Sequence, residues 1–251
     1  MIYFLLSMPE TLIYAFTFKN CTVLKRITVP QTTTQIGRSA FEGCSSLERI
    51  ILHSGITLLG NRAFKGCTSL VEIDIPSSVT ELGSRCFEGC TKLSKIVIPS
   101  SVTRICKYCF CRCESLTEVS LPPSLEIIYS HTFYSCINLV KVVLPPSLKI
   151  IGDSAFLSCS HLQDIVLPGN LSVIGRAAFQ CCSDFGKMTL PPSVQYIGQN
   201  AFNYCHVELK MKPSCKILLG SAFNNEYRTI TVSSPSEFRY YVGFLVDLAF
   251  Y

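Results

Sequence analysis

The stretch LVEIDIPSSVTELGSRCFEGCTK, residues 70–92, holds the plan of the whole chain. Leu70, Ile73 and Ile75 are spaced Leu-x-x-Ile-x-Ile, and Pro76 follows directly. Alternate residues of a strand face one side, so Ile73 and Ile75 point together while Glu72 and Asp74 point away. Proline has no N–H for a ladder, so Pro76 ends the strand. Val79 and Leu82 begin a return path, Gly83 marks a turn, and Phe87 is placed to fill the interior of a coil.

The pattern starts again at Leu93 and runs to Ser115. Phenylalanine recurs at Phe18, Phe41, Phe64, Phe87, Phe110, Phe133, Phe156, Phe179 and Phe202, each step being 23 residues. A cysteine follows each one three positions later, from Cys21 to Cys205, so nine of the 15 cysteines share one repeat position. A coil this small cannot bury its own apolar face, so neighbouring coils must stack. The chain of 251 residues is 48% hydrophobic and 16% charged, which suits a long shared core. Toward the C-terminus the step tightens, Phe202 to Phe223 being 21 residues.

Outward strand positions carry the information about partners. The residue before the first Ile of each strand reads Arg26, Arg49, Glu72, Lys95, Glu118, Lys141, Asp164, Lys187, Lys210. From Arg49 to Lys187 the sign alternates, and stacked opposite charges each contribute roughly 0.2–1 kcal/mol while like charges oppose. The stripe is self-neutralising and specifies register, because a slipped coil sets like charges together. It also argues against nucleic acid, which calls for a single-sign field. The net charge of +5 is modest. A second outward column carries Ile51, Val97, Val143 and Val166. Two readings stand for it: strand propensity alone, or an apolar strip flanked by charge, as a protein-binding groove has.

CKYCFCRC, residues 106–113, places four cysteines in eight positions and read alone suggests metal. Within the repeat its members separate. Cys106 stands in the slot of Gly37, Gly60 and Gly83, and Cys109 in that of Ala40 and Ala63. Cys111 takes the slot of Glu42, Lys65 and Glu88, which makes it the exposed thiol of the run. Cys113 belongs to the cysteine ladder, where a thiol serves as a small hydrophobe. The weak metal candidate is the crossed set Cys86, Cys90, Cys109 and Cys113, two stacked Cys-x-x-x-Cys pairs able in principle to hold tetrahedral zinc. A Cys86–Cys109 disulfide is the alternative in an oxidising compartment. Packed free thiols are the preferred reading, and no cofactor is expected. His53, His131, His161 and His206 fall in four coils without triad or metal spacing, and no phosphate-cradling loop is present. With no catalytic constellation, an enzyme and a small-molecule substrate are not expected.

The iterated phrases IPSSVTELGSRCFEGC (75–90), IPSSVTRICKYCFCRC (98–113) and LPPSLKIIGDSAFLSC (144–159) resemble the BspA-like leucine-rich repeat family of bacterial and protist surface proteins. The fold expected is an α/β solenoid, a right-handed superhelix with a parallel sheet on one face and short strands plus helical turns on the other. It spans residues 1–235 in about ten coils, with 236–251 as a hydrophobic C-terminal cap; the apolar run Tyr240–Tyr251 is short of the ~20 residues of a membrane span. The resemblance implies a non-catalytic surface antigen or adhesin that binds host or matrix proteins such as fibronectin, or other cells. The residues placed to do so are Arg49, Glu72, Lys95, Glu118, Lys141 and Asp164, with Val97, Val143 and Val166, on the concave face. The resemblance also implies a cell-surface or secreted location. The start, MIYFLLSMPETLIYAF, has no positive n-region and is broken by Pro9 and Glu10, so a cleavable signal peptide is not expected. An intracellular leucine-rich-repeat scaffold is the alternative, and a zinc or redox protein the third reading.

Overall fold

A computed structural model describes residues 3–5, 12–211, 222 and 229–232. The expected cap, 236–251, lies outside the described residues. The chain winds as stacked coils, each contributing two short strands. The first strands, such as Glu72–Asp74, Lys95–Val97, Glu118–Ser120 and Lys141–Val143, carry one buried residue between two outward ones. The second strands are pairs such as Glu81–Leu82 and Ile150–Ile151, the latter residue buried in each. Every pairing is parallel and links a strand to its counterpart one coil away. The strand ends at proline as expected, and the proline carbonyl then accepts a turn bond: Val79 N–H donates to Pro76 O at 3.0 Å and Val102 N–H to Pro99 O at 3.0 Å.

The helical turns expected on the far side do not form. Among the described residues there is no helix, and the α/β description gives way to strands and turns alone. The segment Gly37–Cys44 shows why. The N–H groups of Ala40, Glu42 and Cys44 donate three residues back, to Gly37, Ser39 and Phe41. Those of Ser39, Phe41 and Gly43 donate instead to Asn61, Ala63 and Lys65 of the next coil, at 2.8, 2.8 and 2.7 Å. An α-helix needs every donor for its own i−4 carbonyl; here alternate donors belong to the neighbour. The alternation needs two left-handed residues per coil, Ser39 (φ 55) and Gly43 (φ 76) here, Tyr108 (φ 61) and Arg112 (φ 58) later. A side chain held there costs about 1–2 kcal/mol, which the inter-coil bonds offset.

The core is an aromatic column. Phe18 through Phe202 stack coil on coil, with centroids 5.1 to 5.5 Å apart and planes within 10°. Beside it runs the cysteine ladder, and its sulfur does more than fill space. From Cys44 to Cys205 each ladder thiol donates to a phenylalanine carbonyl one coil back, as in Cys67 to Phe41 O at 3.2 Å, Cys90 to Phe64 O at 3.2 Å, Cys113 to Phe87 O at 3.3 Å and Cys136 to Phe110 O at 3.1 Å.

One junction differs from the rest. Gly83 packs so closely on the preceding coil that a Cβ there would lie 2.6 Å from Asn61 N and Gly60 C. Cys106 and Tyr129 occupy this glycine column in consecutive coils. Between those coils neither sheet is continuous: Lys95–Val97 does not ladder with Glu118–Ser120, nor Arg104–Ile105 with Ile127–Ile128. The first sheet is interrupted elsewhere too, but among the described residues the second sheet is interrupted only here. The turn ladder carries on across this seam, Tyr108 N–H donating to Ser130 O at 3.1 Å and Phe110 N–H to Thr132 O at 2.9 Å.

Candidate protein-recognition face

The register places the two outward columns side by side along the first sheet. Glu72 pairs with Lys95, Glu118 with Lys141, and Lys141 with Asp164. Arg49, Glu72, Lys95 and Glu118 are exposed and Lys141 is half-buried; for Asp164 the backbone pairing is the described fact. Lys141 Nζ reaches Glu118 Oε1 at 3.7 Å. The like-charged neighbours Arg26 and Arg49 are eased by Glu48, which lies 3.7 Å from Arg26. The stripe ends differently from the sequence reading: Lys187 pairs with Glu208, and Lys210 aligns with Thr189. The shortened final step is the cause, and it extends the alternation of sign by one coil.

The same device recurs away from this sheet. Lys19–Glu42 (3.6 Å), Lys65–Glu88 (3.4 Å), Glu81–Arg104 (3.9 Å) and Glu126–Lys149 (2.8 Å) all join residues one coil apart. Exposed pairs of this kind contribute little stability singly, ~0–1 kcal/mol, but each opposes a slipped register.

The second column is exposed as well. Ile51 is 49% exposed, Val97 63%, Val143 45% and Val166 77%. Asp74 and Ser120 interrupt it, so its apolar part is densest at Val143 and Val166, with exposed Val140 nearby. Sequence reasoning missed a second apolar line on the other sheet. Ile127, Ile150, Val173 and Tyr196 pair in order across four coils. They replace Gln35, Leu58, Glu81 and Arg104, the residues in this position before the seam. The signal for it was the residue preceding each buried Leu82-type position.

The four cysteines of the crossed set all lie in the core. Cys86, Cys90, Cys109 and Cys113 are buried free thiols. Burial pushes all four thiols up, away from the thiolate a metal requires. Among the described residues no group of three or more His, Cys, Asp or Glu is arranged to hold an ion. Cys111 is not the exposed thiol that its slot suggested; it is 5% exposed. Glu42 and Glu88 are themselves only partly exposed in that slot, at 18% and 17% of the side chain.

His131 lies in a stack of its own with Tyr108, centroids 4.4 Å apart, and Arg85 covers the other side of the column at 4.0 Å from the Tyr108 ring. Burial lowers the His131 pKa from its ordinary value of 6.5, against a raising influence of Asp153. Because the folded value is the lower one, the unfolded chain binds the extra proton first. Stability is therefore fully present above the unfolded pKa of about 6.5 and falls as pH drops below it. We expect the melting temperature to decline with acidification in that window, and His131→Phe to flatten the decline. An unchanged slope in the variant rules His131 out as its source.

A family profile described as the BspA type leucine rich repeat region matches residues 6–117 and 103–231 in six copies. Among solved structures, a leucine-rich repeat protein of T. pallidum is 32% identical, over 64% of this chain and 75% of that one, with a TM-score of 0.60. A leucine-rich repeat protein from Bacteroides ovatus is 22% identical, over 89% of this chain and 82% of that one, with a TM-score of 0.57. The pneumococcal vaccine antigen PcpA is 20% identical, over 84% of this chain and 63% of that one, with a TM-score of 0.50. The last two show likeness of fold alone. No curated protein matches the chain.

Proposed function

This chain belongs to the BspA-type leucine-rich repeat family, and from that premise we propose that it is a non-catalytic protein-recognition solenoid of the surface-antigen type. Its partner is a protein of the extracellular matrix or of another cell, and its setting is the cell surface or the secreted space. The supporting observation is the exposed first-sheet face, on which β-branched apolar residues stand among charges already neutralised by their neighbours. Such a face is desolvated at little electrostatic cost when a protein covers it, and apolar contacts then supply the affinity. We assign Arg49, Glu72, Lys95, Glu118, Lys141 and Asp164 to positioning the partner, and Val97, Val143 and Val166 to the contact itself.

The test combines surface labelling of intact cells with binding of the purified chain to immobilised matrix protein, fibronectin first. The triple variant Val97→Ser, Val143→Ser, Val166→Ser is expected to bind roughly tenfold more weakly or worse, since each 1.4 kcal/mol is tenfold. Binding unchanged in that variant, or no labelling of the chain on cells, overturns the reading. One observation favours an intracellular scaffold as the second reading. The ladder cysteines act as S–H donors, a role that requires the reduced thiol.

A further inference from the structure

The ladder explains most of the cysteines, but not Cys106 and Cys109. Cys106 leaves the ladder slot, interrupts the glycine column, and is only half-buried. Its thiol donates to Glu81 Oε1 at 3.2 Å, at the rim of the second sheet. Cys109, three residues on, is fully buried. The two are joined by a tight turn in which Cys109 N–H donates to Cys106 O at 3.2 Å. Such a turn holds its end Cα atoms within about 7 Å, and a disulfide spans about 4.4–6.8 Å. Tyr108, between them, sits in the left-handed region at φ 61.

We propose that Cys106 and Cys109 form a redox-active dithiol site, in which the accessible Cys106 is thiolated by a low-molecular-weight disulfide and the buried Cys109 resolves the adduct. In the first step the Cys106 sulfur attacks one sulfur of the small disulfide. A Cys106–S–S–R bond forms, the R–S–S–R bond breaks, and one R–SH leaves with the Cys106 proton. In the second step Cys109 attacks the Cys106 sulfur, the protein disulfide closes, and the second R–SH leaves. The dithiol loses two electrons and the small disulfide gains them.

Two features of the surroundings set its behaviour. Glu81 holds the Cys106 proton in place. Burial, then the bond and charge of Glu81, push this thiol up to about 11 against the opposing pull of Arg104. The site is therefore guarded at neutral pH and quickens as pH rises toward that value. The second feature is the seam. The next coil makes no strand ladder with this one, so the strand edge leading into Cys106 is held by fewer backbone bonds, while the turn that carries Cys109 keeps its own to Phe87 and Thr132 through Cys109 O and Phe110 N–H. Cys86, whose thiol also neighbours Cys109, is fully buried and cannot start the reaction.

The experiment treats the reduced full chain with glutathione disulfide, then blocks remaining thiols with an alkylating reagent and maps them by peptide mass. In the unaltered chain the Cys106 and Cys109 peptides are expected to be joined. Cys109→Ser is expected to accumulate the glutathione adduct at Cys106. Glu81→Gln is expected to react about threefold faster or more at neutral pH, because the gain in thiolate outweighs the loss of nucleophilicity. Adducts that fall chiefly on Cys111 or Cys181, a Cys106 adduct that persists unresolved in the unaltered chain, or a slower Glu81→Gln protein each overturn the proposal. The mapping on the unaltered chain decides the matter even where a variant fails to fold.

Discussion

Phe110→Ala is expected to destabilise the chain by about 3–5 kcal/mol, the range for removing a large ring from a close-packed core. Phe110 is fully buried and lies between Phe87 at 5.5 Å and Phe133 at 5.4 Å. Its coil borders the seam, where both sheets are interrupted. There the phenylalanine column and the turn ladder carry the contact between the two halves. Coils couple only to their neighbours, so losing this ring should also divide the array. We expect denaturant unfolding of Phe110→Ala to broaden or resolve into two steps. Phe64→Ala, at a junction where the second sheet is continuous, should cost less and keep a single transition. Equal losses and equal cooperativity in the two variants show that the seam has no energetic meaning.

Gly175→Ala is expected to cost about 1–3 kcal/mol, the range for forcing a methyl group into a filled space. The new Cβ would lie 2.6 Å from Asp153 N and 2.7 Å from Gly152 C, backbone atoms that have no room to move. The coil must lift, weakening the bond from Gly175 N–H to Ile151 O at 2.7 Å. Gly169→Ala is the control. Nothing lies within 4 Å of its Cβ, so the reduced freedom of the unfolded chain leaves it neutral or stabilised by up to about 1 kcal/mol. Thermal melts of the two variants should move in opposite directions, or Gly169→Ala not at all. A Gly175→Ala protein as stable as the parent refutes the steric reading. Two residues of this column already carry side chains: Cys106 keeps its bond to Leu82 O at 3.0 Å, whereas the bulkier Tyr129 stands at the junction where the second sheet is interrupted.

The parts of the fold legible in the sequence are those written once per coil. Phe87 and Cys90 are buried, Glu72 and Asp74 point out around Ile73, and Pro76 ends the strand, all as the period requires. The charge stripe was legible because a fixed period turns sequence spacing into spatial neighbours. What was not legible depends on competition between coils. A helical turn on the far side of each coil was the expectation because local pattern alone permits one. The donors of Arg85, Phe87 and Gly89 go to Lys107, Cys109 and Cys111 instead, a choice made by the neighbouring backbone. The partner of Lys187 was misread for a related reason: one short coil moves every later residue out of count. Cys111 was misplaced because charged residues in its slot suggested a solvated position, whereas Glu42, Lys65 and Glu88 are all only half-exposed there.

The alternating stripe has a consequence for how such an array changes in length. Before the short final coil, each kind of inter-coil bond recurs every 23 residues, so a duplication or loss of one whole coil restores the ladders, the aromatic column and the thiol bonds. It does not restore the charges. Deleting residues 95–117 sets Glu72 beside Glu118, whereas deleting 95–140 sets it beside Lys141. Recombination between repeats is thus free to add or remove coils in even number and is penalised for odd. Descendants of one ancestral gene should differ in this segment by pairs of coils, with parity preserved as an inherited trait of the charge pattern.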